Sequence, residues 1–226
     1  MKEQEWLSGT NPKRMLDFVR DLVTDRKLRL FAVACCRHIW HVLVDRRSRI
    51  AMETSERYAD DRATEAELLS SLNKAIEAER AALPRSKGAE AACFERKVSE
   101  FGIAVGVNVA ADLAAFAVTA VDVRDGIGPV HDMVGVETER VVQGQYVRDI
   151  FGNPHRRVIF NPRWRTIDVL GVAHAIYEER AFERMPILAD ALMDAGCGDE
   201  LVIEHCRGNG PHVRGCWVVD LVLGKT

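Results

Sequence analysis

The sequence predicts a mainly α-helical fold, an irregular helical bundle with stacked helical hairpins in its C-terminal half. Three observations favour this class: apolar residues recur mostly at helical spacing, helix caps and glycine or proline stops are frequent, and strand signals are sparse. From residue 166 onward, helices of about 9–14 residues alternate with short glycine or proline turns, which is typical of stacked hairpins. No fixed internal period is visible, so the pattern does not indicate a repeat protein.

Local signals set the predicted helix boundaries. Asn11 with Pro12 and Asp199 are typical helix starts, whereas Gly196 and Gly208 are typical helix stops. The predicted helices cover about residues 12–23, 25–42, 48–58, 64–83, 137–151, 166–180, 186–196 and 200–206. Residues 123–135, with three glycines and a proline, predict a loop or a short hairpin. The valine-rich segment 216–223 fits either a helix or a buried strand, and its pattern leaves both open.

The composition is that of an ordinary globular protein. The chain has 226 residues, of which 47% are hydrophobic and 29% charged, with a formal net charge of −3. These values exclude a disordered chain, a collagen and a highly basic coat protein. A loop expected at residues 84–88 is the candidate boundary between an N-terminal helical region, 1–83, and a C-terminal helical region, 89–226. A single domain is the alternative, since this length fits one large domain or two small ones.

Targeting and membrane signals are weak. The first residues do not have the pattern of a secretory signal peptide, because Lys2, Glu3 and Glu5 are not followed by an apolar stretch. Six cysteines are too few for a disulfide scaffold and indicate reduced thiols. Phe101 to Val121 is long and apolar enough to span a bilayer, but Asp112 near its centre favours a buried core helix. We therefore expect a cytoplasmic protein with no membrane association.

Positive charge is concentrated near the N-terminus. Residues 1–50 contain 11 Lys and Arg against 6 Asp and Glu. Such a face predicts a nucleic-acid or acidic partner, but docking against acidic helices of the same chain is the alternative. The alternative is favoured because the sequence pI is about 6.2, and nucleic-acid-binding domains are usually more basic. The candidate basic face consists of Arg26, Lys27, Arg29, Arg37, Arg46, Arg47 and Arg49.

Ligand-like spacing occurs in one C-terminal stretch, residues 197–216. Cys197, Cys206, His212 and Cys216 are four soft or borderline ligands close in sequence, as a tetrahedral structural zinc site requires. A helix over 200–206 would hold Cys197 and Cys206 too far apart to share one ion. A core of Cys206, His212 and Cys216, completed by His205 or by a residue from elsewhere, is geometrically easier. The alternative is buried thiols with a histidine that donates to a backbone carbonyl.

Two further clusters are weaker candidates. Cys35, Cys36 and His38 lie on one predicted helix, where Cys35 and His38 share a face. They predict either part of a metal site shared with the C-terminal loop or core cysteines beneath Trp40. A second set of residues, in the segment 155–165, offers an anion site, with a solvated loop as the alternative. That set is His155, Arg156 and Arg157, with Arg163 and Arg165 nearby.

Catalytic templates are missing from the sequence. We find no Walker A sequence, no G-x-S-x-G elbow, no H-E-x-x-H and no Rossmann glycine fingerprint. We therefore expect a non-enzymatic helical interaction or regulatory module with a protein partner. One alternative is a zinc-stabilised module that contacts nucleic acid through the basic face. The other is an enzyme that uses a Cys-His pair near the C-terminal loop.

Several segments resemble a known group of proteins. They are residues 149–154 (DIFGNP), 185–192 (MPILADAL) with 195–197 (AGC), 205–220 (HCRGNGPHVRGCWVVD) with 223–225 (LGK), 5–7 (EWL) and 25–31 (DRKLRLF) with the Cys35–Cys36 pair. In them the chain resembles a large paralogous family of uncharacterised planctomycete bacterial proteins. The family often has a cysteine at the position of Val33 and an aromatic residue at that of His155. The resemblance implies a compact domain, alone or fused to other modules, and no assigned activity.

Overall fold

The computed structural model describes residues 1–22, 24–38, 40, 45–82 and 129–225. This part of the chain contains α-helices and short 3-10 turns and no strand, which confirms the predicted mainly α-helical class. In chain order the α-helices are α1 (Glu3–Ser8), α2 (Pro12–Val19), α3 (Asp25–His38), α4 (Arg46–Ala59), α5 (Glu65–Ala82), α6 (Pro129–Phe151), α7 (Ile167–Glu179), α8 (Met185–Asp194), α9 (Glu200–Arg207) and α10 (Trp217–Leu223).

The first hydrophobic core joins the N-terminal helices to α6. Trp6, Phe31 and Cys35 are fully buried there against Val147 and Ile150, which α6 contributes. The apolar side of α6 thus covers α2 and α3. The indole of Trp6 also donates a hydrogen bond to the carbonyl of Gly152 at 3.0 Å, which satisfies its polar atom inside the core. The N-terminal core therefore contains residues from both of the regions that the sequence suggested.

The second core is formed by the C-terminal helices α7 to α10. Its fully buried members include Ile176 of α7, Leu188 and Leu192 of α8, Val202 of α9 and Val219 of α10. Helix α8 packs against α7 and α9, and α10 packs against α7. Helices α7, α8 and α9 are consecutive, are joined by short connections and pack on one another, as predicted for stacked hairpins in this half of the chain.

Several helix ends differ from the sequence-based expectation. The prediction of a loop over 123–135 is wrong for residues 129–135, which are helical. Pro129 is the first residue of α6, and proline is tolerated at this position because the first N–H of a helix has no partner within the helix. Segment 216–223 is a helix, closed by Gly224 at φ 67°. Gly196 has the positive φ expected at a helix end. Gly208 is the C-cap of α9, as predicted, but its backbone is extended, with φ −65°, rather than left-handed.

Some sequence predictions fall outside the described residues. They are the loop at 84–88, the apolar segment 101–121 and residues 123–128 of the expected loop. Across the described ranges, no helix has both the length and the apolar character that crossing a bilayer requires.

A buried ionic network connects the two halves of the structure. Asp60, which follows α4, has a fully buried side chain and accepts a hydrogen bond from the Tyr177 hydroxyl at 2.6 Å. Arg26 of α3 and Arg214 pair with the same carboxylate, at 3.1 and 2.9 Å. Arg26 also reaches Asp220 of α10 at 2.7 Å. Helices α3, α4, α7 and α10 are thereby linked by charge-assisted hydrogen bonds as well as by apolar packing.

Candidate metal centre

Four side chains with metal-ligating atoms converge where α6, α9 and α10 meet. They are Asp149 near the end of α6, His205 on α9, His212 in the loop that follows α9, and Cys216 at the N-cap of α10. One ligand atom from each residue lies within 4.8 Å of all the others. This buried group could hold a metal ion. We call it the DHHC group and call residues 208–216 the ligand loop.

The contacts within the DHHC group centre on two atoms. Oδ1 of Asp149 lies 2.7 Å from Nδ1 of His212 and 3.2 Å from Nε2 of His205. The same Nε2 of His205 lies 3.1 Å from Sγ of Cys216. A tetrahedral ion with bonds of about 2.0–2.3 Å keeps its ligand atoms about 3.2–3.6 Å apart. The three separations above are close to these values, and the ligand atoms of the whole group lie within 4.8 Å of one another, so side-chain shifts on the order of 1 Å would bring all four to an ion.

Burial distinguishes the DHHC group from a surface cluster of acidic residues. The side chains of Asp149 and His212 are 4% and 8% exposed, and Cys216 is completely buried. Burial alone raises the pKa of Asp149, but hydrogen bonds from His205 and His212 outweigh it and hold that pKa below the ordinary value. Burial raises the pKa of the Cys216 thiol well above its ordinary value. An ion would reverse this last effect, because a coordinating thiol is deprotonated.

The loop conformation that presents these ligands is fixed by three contacts. The backbone N–H of Val213 donates to Oδ2 of Asp149 at 2.9 Å, which ties the ligand loop to α6. The ammonium of Lys27 donates to the carbonyls of Gly215 and Ile150, at 2.8 and 3.1 Å. Gly215 has φ 95°, and a Cβ there would lie 2.9 Å from Leu30, so a glycine is required immediately before the Cys216 ligand.

The donor set fits a transition metal better than a hard cation. Two imidazoles, a carboxylate and a thiolate are the ligand types that Zn²⁺ takes, whereas Mg²⁺ and Ca²⁺ require mostly oxygen. In addition, Nε2 of His212 is buried and has no hydrogen-bond partner among the described residues. A buried polar atom of this kind is satisfied by an ordered water or by an ion, and because Nδ1 of the same ring contacts Asp149, His212 would bind an ion through only one of its two nitrogens. The residues present therefore fit a bound metal ion.

The same residues do not have the geometry of a Cys-His catalytic pair. In such a pair the thiol contacts one ring nitrogen of the histidine and the orienting carboxylate contacts the other. Here Sγ of Cys216 and Oδ1 of Asp149 both contact Nε2 of His205. Cys216 is also fully buried, so no substrate reaches its sulfur in this conformation. Ligand atoms that converge on one point are typical of a metal site.

Two of the four metal ligands suggested by the sequence belong to the DHHC group. They are His212 and Cys216, and His205 joins them as the histidine expected to complete the set. Cys206 and Cys197 lie outside the group, in the C-terminal core. Burial raises the pKa of Cys206 to about 12 and also raises the pKa of Cys197, as expected for thiols in an apolar environment.

Sequence reasoning missed Asp149 as a ligand. It lies on another helix, 63 positions before His212, so no local spacing connects the two. A residue from elsewhere in the chain was expected to complete the site, but nothing in the pattern singled out this carboxylate.

The second cysteine cluster does not join the metal group. Cys35 is completely buried in the N-terminal core, and Cys36 is 8% exposed. His38 is exposed, with its Nδ1 3.4 Å from the Tyr146 hydroxyl. Among the described residues, the DHHC group is the one cluster with ligand atoms close enough to share an ion.

Several cations of the predicted basic face have partners within the chain. Arg26 pairs with two buried carboxylates, Lys27 lies 2.6 Å from Asp220, and Arg37 lies 2.7 Å from Glu56. These contacts favour the intramolecular alternative for this face. The remaining members form local contacts or lie at the surface: Arg29 over the Tyr58 ring, Arg47 beside Asp45, Arg49 near Trp40, and Arg46 exposed.

The suggested anion site is partly occupied by N-terminal residues. The ring of His155 stacks on Phe18, with centroids 5.4 Å apart. Arg156 forms an ion pair with Glu3 at 2.6 Å, whereas Arg157 is exposed. These contacts give His155 and Arg156 a structural role in joining the segment after α6 to the N-terminal helices.

Comparisons with known proteins do not indicate a function for this chain, so functional inference depends on the site. Searches against protein-family models, curated proteins and solved structures find no match for this chain.

Proposed function

We propose that this chain is a non-enzymatic, cytoplasmic helical interaction module whose fold is stabilised by a structural zinc ion bound to the DHHC group. The observation that carries the proposal is the convergence of four buried ligand atoms, from Asp149, His205, His212 and Cys216, within 4.8 Å of one another. The five cysteines in the described part of the chain are free thiols, which supports a reducing compartment.

A structural role for the metal is supported by the number and placement of its ligands. Catalytic zinc sites keep one coordination position for water or substrate, whereas structural sites have four protein ligands. The DHHC group supplies four, and its most exposed member, His205, is only 18% exposed. The ring of His205 is also covered by Trp217, with centroids 5.0 Å apart. An ion bound here would fasten α6 to α9 and α10, and so connect the two hydrophobic cores.

Interaction is proposed as the mode of action because the site offers no reacting group to a substrate. The thiol of Cys216 is enclosed, and its contact with His205 competes with that of Asp149 at the same nitrogen. The nucleic-acid alternative is weakened by the internal partners of Arg26, Lys27 and Arg37. A protein partner is the class that the sequence favours, and it stays a proposal.

The test is the metal content of the full-length, untagged chain, measured by elemental mass spectrometry. We expect about one zinc per chain and a lower melting temperature after chelation, since metal binding adds directly to folding free energy. The Cys216→Ala variant should lose the metal. The matched control is Cys206→Ala, because Cys206 is an equally buried thiol outside the DHHC group. This variant should keep the metal.

A second measurement covers the case in which Cys216→Ala fails to fold. Cobalt substitution of the wild-type chain should give a thiolate-to-cobalt charge-transfer band, which Cys206→Ala retains. A wild-type chain that takes up neither zinc nor cobalt stoichiometrically would overturn the metal proposal. Rapid alkylation of Cys216 in the native, metal-loaded chain would instead overturn the structural role proposed for this site, because a buried metal-bound thiolate is protected.

A further inference from the structure

A small cavity lined mostly by arginine lies apart from the DHHC group, between α3, α4 and the end of α7. Its volume is about 270 Å³. Five guanidinium groups line it together with the carboxylates of Glu53 and Glu56. The five are Arg37 of α3, Arg57 of α4, Arg62 after α4, Arg180 at the end of α7 and Arg214 of the ligand loop.

Two of these arginines are already neutralised by neighbouring carboxylates. Arg62 pairs with Glu178 at 2.8 Å, and Arg214 pairs with the buried Asp60 at 2.9 Å. Both side chains line the cavity, and these ion pairs orient their guanidinium groups. They are therefore positioned for an anion without being its main source of positive charge.

The other three arginines, Arg37, Arg57 and Arg180, have few carboxylate partners. Arg37 and Arg180 both bind one oxygen of Glu56, Oε2. The carboxylate nearest to Arg57 is that of Glu67, and it lies 3.8 Å away with both side chains half exposed. Such a distant exposed pair contributes little. Arg37 and Arg180 thus share one buried carboxylate, and Arg57 has only this distant pair, while Glu53 is the second carboxylate that lines the cavity.

Unpartnered polar atoms mark the same place. Nε of Arg37 and Oε1 of Glu56 are buried and have no hydrogen-bond partner in the described part of the chain. Buried polar atoms are nearly always partnered, so Nε of Arg37 is a donor that remains available to an oxyanion, whereas Oε1 of Glu56 can accept only from a protonated oxygen of the ligand. The ion pairs between Glu56 and its two arginines therefore leave the site unsaturated.

We propose that this cavity binds a phosphate-type oxyanion, either free phosphate or the phosphoryl group of a small phosphomonoester. Arginine is suited to this ligand because its planar guanidinium donates two parallel hydrogen bonds to phosphate oxygens. The volume of about 270 Å³ accommodates a phosphate or a phosphoryl group. The inference goes beyond the proposed metal-stabilised module, and its test has a separate readout.

The test is calorimetric titration of the full-length, as-purified chain at constant ionic strength and known metal content. Inorganic phosphate and glycerol 3-phosphate are titrated separately, with sodium chloride as the reference. We expect saturable binding of phosphate and a higher melting temperature, because a ligand that binds the folded state stabilises it. If glycerol 3-phosphate binds more tightly, the ligand is a phosphomonoester; if phosphate does, it is the free ion.

Two variants locate the binding. Arg57→Gln removes a half-exposed guanidinium from the cavity and should weaken phosphate binding about tenfold, as expected for loss of a charge-assisted hydrogen bond. Arg47→Gln is the matched control, because Arg47 is 39% exposed, pairs with Asp45 and does not line the cavity. Binding that is equal in wild type and Arg57→Gln would overturn the proposal. So would a stabilisation that sodium chloride reproduces at the same ionic strength.

Discussion

Asp60→Asn is the substitution that most directly tests how the two halves of this protein are held together. The Asp60 side chain is completely buried and faces Tyr177, Arg26 and Arg214 at hydrogen-bonding distance, with Lys225 at 3.5 Å. The asparagine amide has nearly the same shape as the carboxylate. The substitution therefore removes the negative charge while it disturbs the packing little.

The expected loss of stability depends on which carboxylate partners each arginine keeps after the substitution. Removing one partner of a buried ion pair costs about 3–5 kcal/mol, because the remaining charge is left uncompensated. Arg26 keeps Asp220 at 2.7 Å, whereas Arg214 keeps only Glu178, at 3.8 Å. One of the two arginines is therefore still neutralised. We expect Asp60→Asn to lower the free energy of unfolding by about 3 kcal/mol, the lower end of that range.

The assay is urea unfolding followed by far-UV circular dichroism, with chelator present in every sample so that metal binding does not enter the comparison. The matched control is Asp45→Asn. Asp45 is 37% exposed and pairs locally with Arg47, and asparagine replaces aspartate well as a helix N-cap, so the loss should be about 0–1 kcal/mol. A loss below about 1 kcal/mol for Asp60→Asn, at an unchanged slope, would refute the reasoning.

Two further predictions concern pH and the ligand loop. Burial raises the pKa of Asp60, but Tyr177 and its cationic neighbours outweigh burial and hold it below the ordinary value. The stabilisation by the Asp60 carboxylate is therefore complete above its unfolded pKa of about 3.9 and is lost as the pH falls through its pKa in the folded state. The difference in unfolding free energy between wild type and Asp60→Asn should thus become smaller between pH 7 and pH 3. A difference that stays constant over this range would contradict the prediction. Gly215→Ala should lower stability by about 1–3 kcal/mol and reduce zinc content, because residue 215 has φ 95° and its Cβ would contact Leu30. Gly210→Ala, which meets open space, should do neither, and equal melting temperatures for the two variants would contradict the prediction.

Local helix signals were sufficient to predict the fold class. Asp199 caps α9 through the N–H groups of Leu201 and Val202, and Gly196 closes α8 with a positive φ, as their residue types indicated. The ambiguity of segment 216–223 could not be resolved locally, because a short apolar run fits a strand or a buried helix equally well. Its helical state follows from packing against α7 in the C-terminal core.

The candidate metal centre was predictable only where its ligands are close in sequence. His205, His212 and Cys216 lie within one short segment, so their spacing suggested a site. The same logic favoured Cys206, but its side chain points into the C-terminal core, and spacing alone does not report which way a helical residue faces. Asp149 depends on the packing of α6 against the ligand loop.

The sequence by itself determined the helical class, most of the helix ends and the loop that carries two of the four residues of the candidate metal centre, because caps, glycine stops and apolar periodicity act over a few residues. Only the tertiary structure decided that Asp149 completes the DHHC group and that Arg26 and Lys27 are internal partners of Asp220 rather than part of a free basic surface. It also decided that Arg37, Arg57 and Arg180 meet around one cavity. These juxtapositions join residues far apart in the chain, and they arise when helices bury their apolar faces together, which no local pattern encodes.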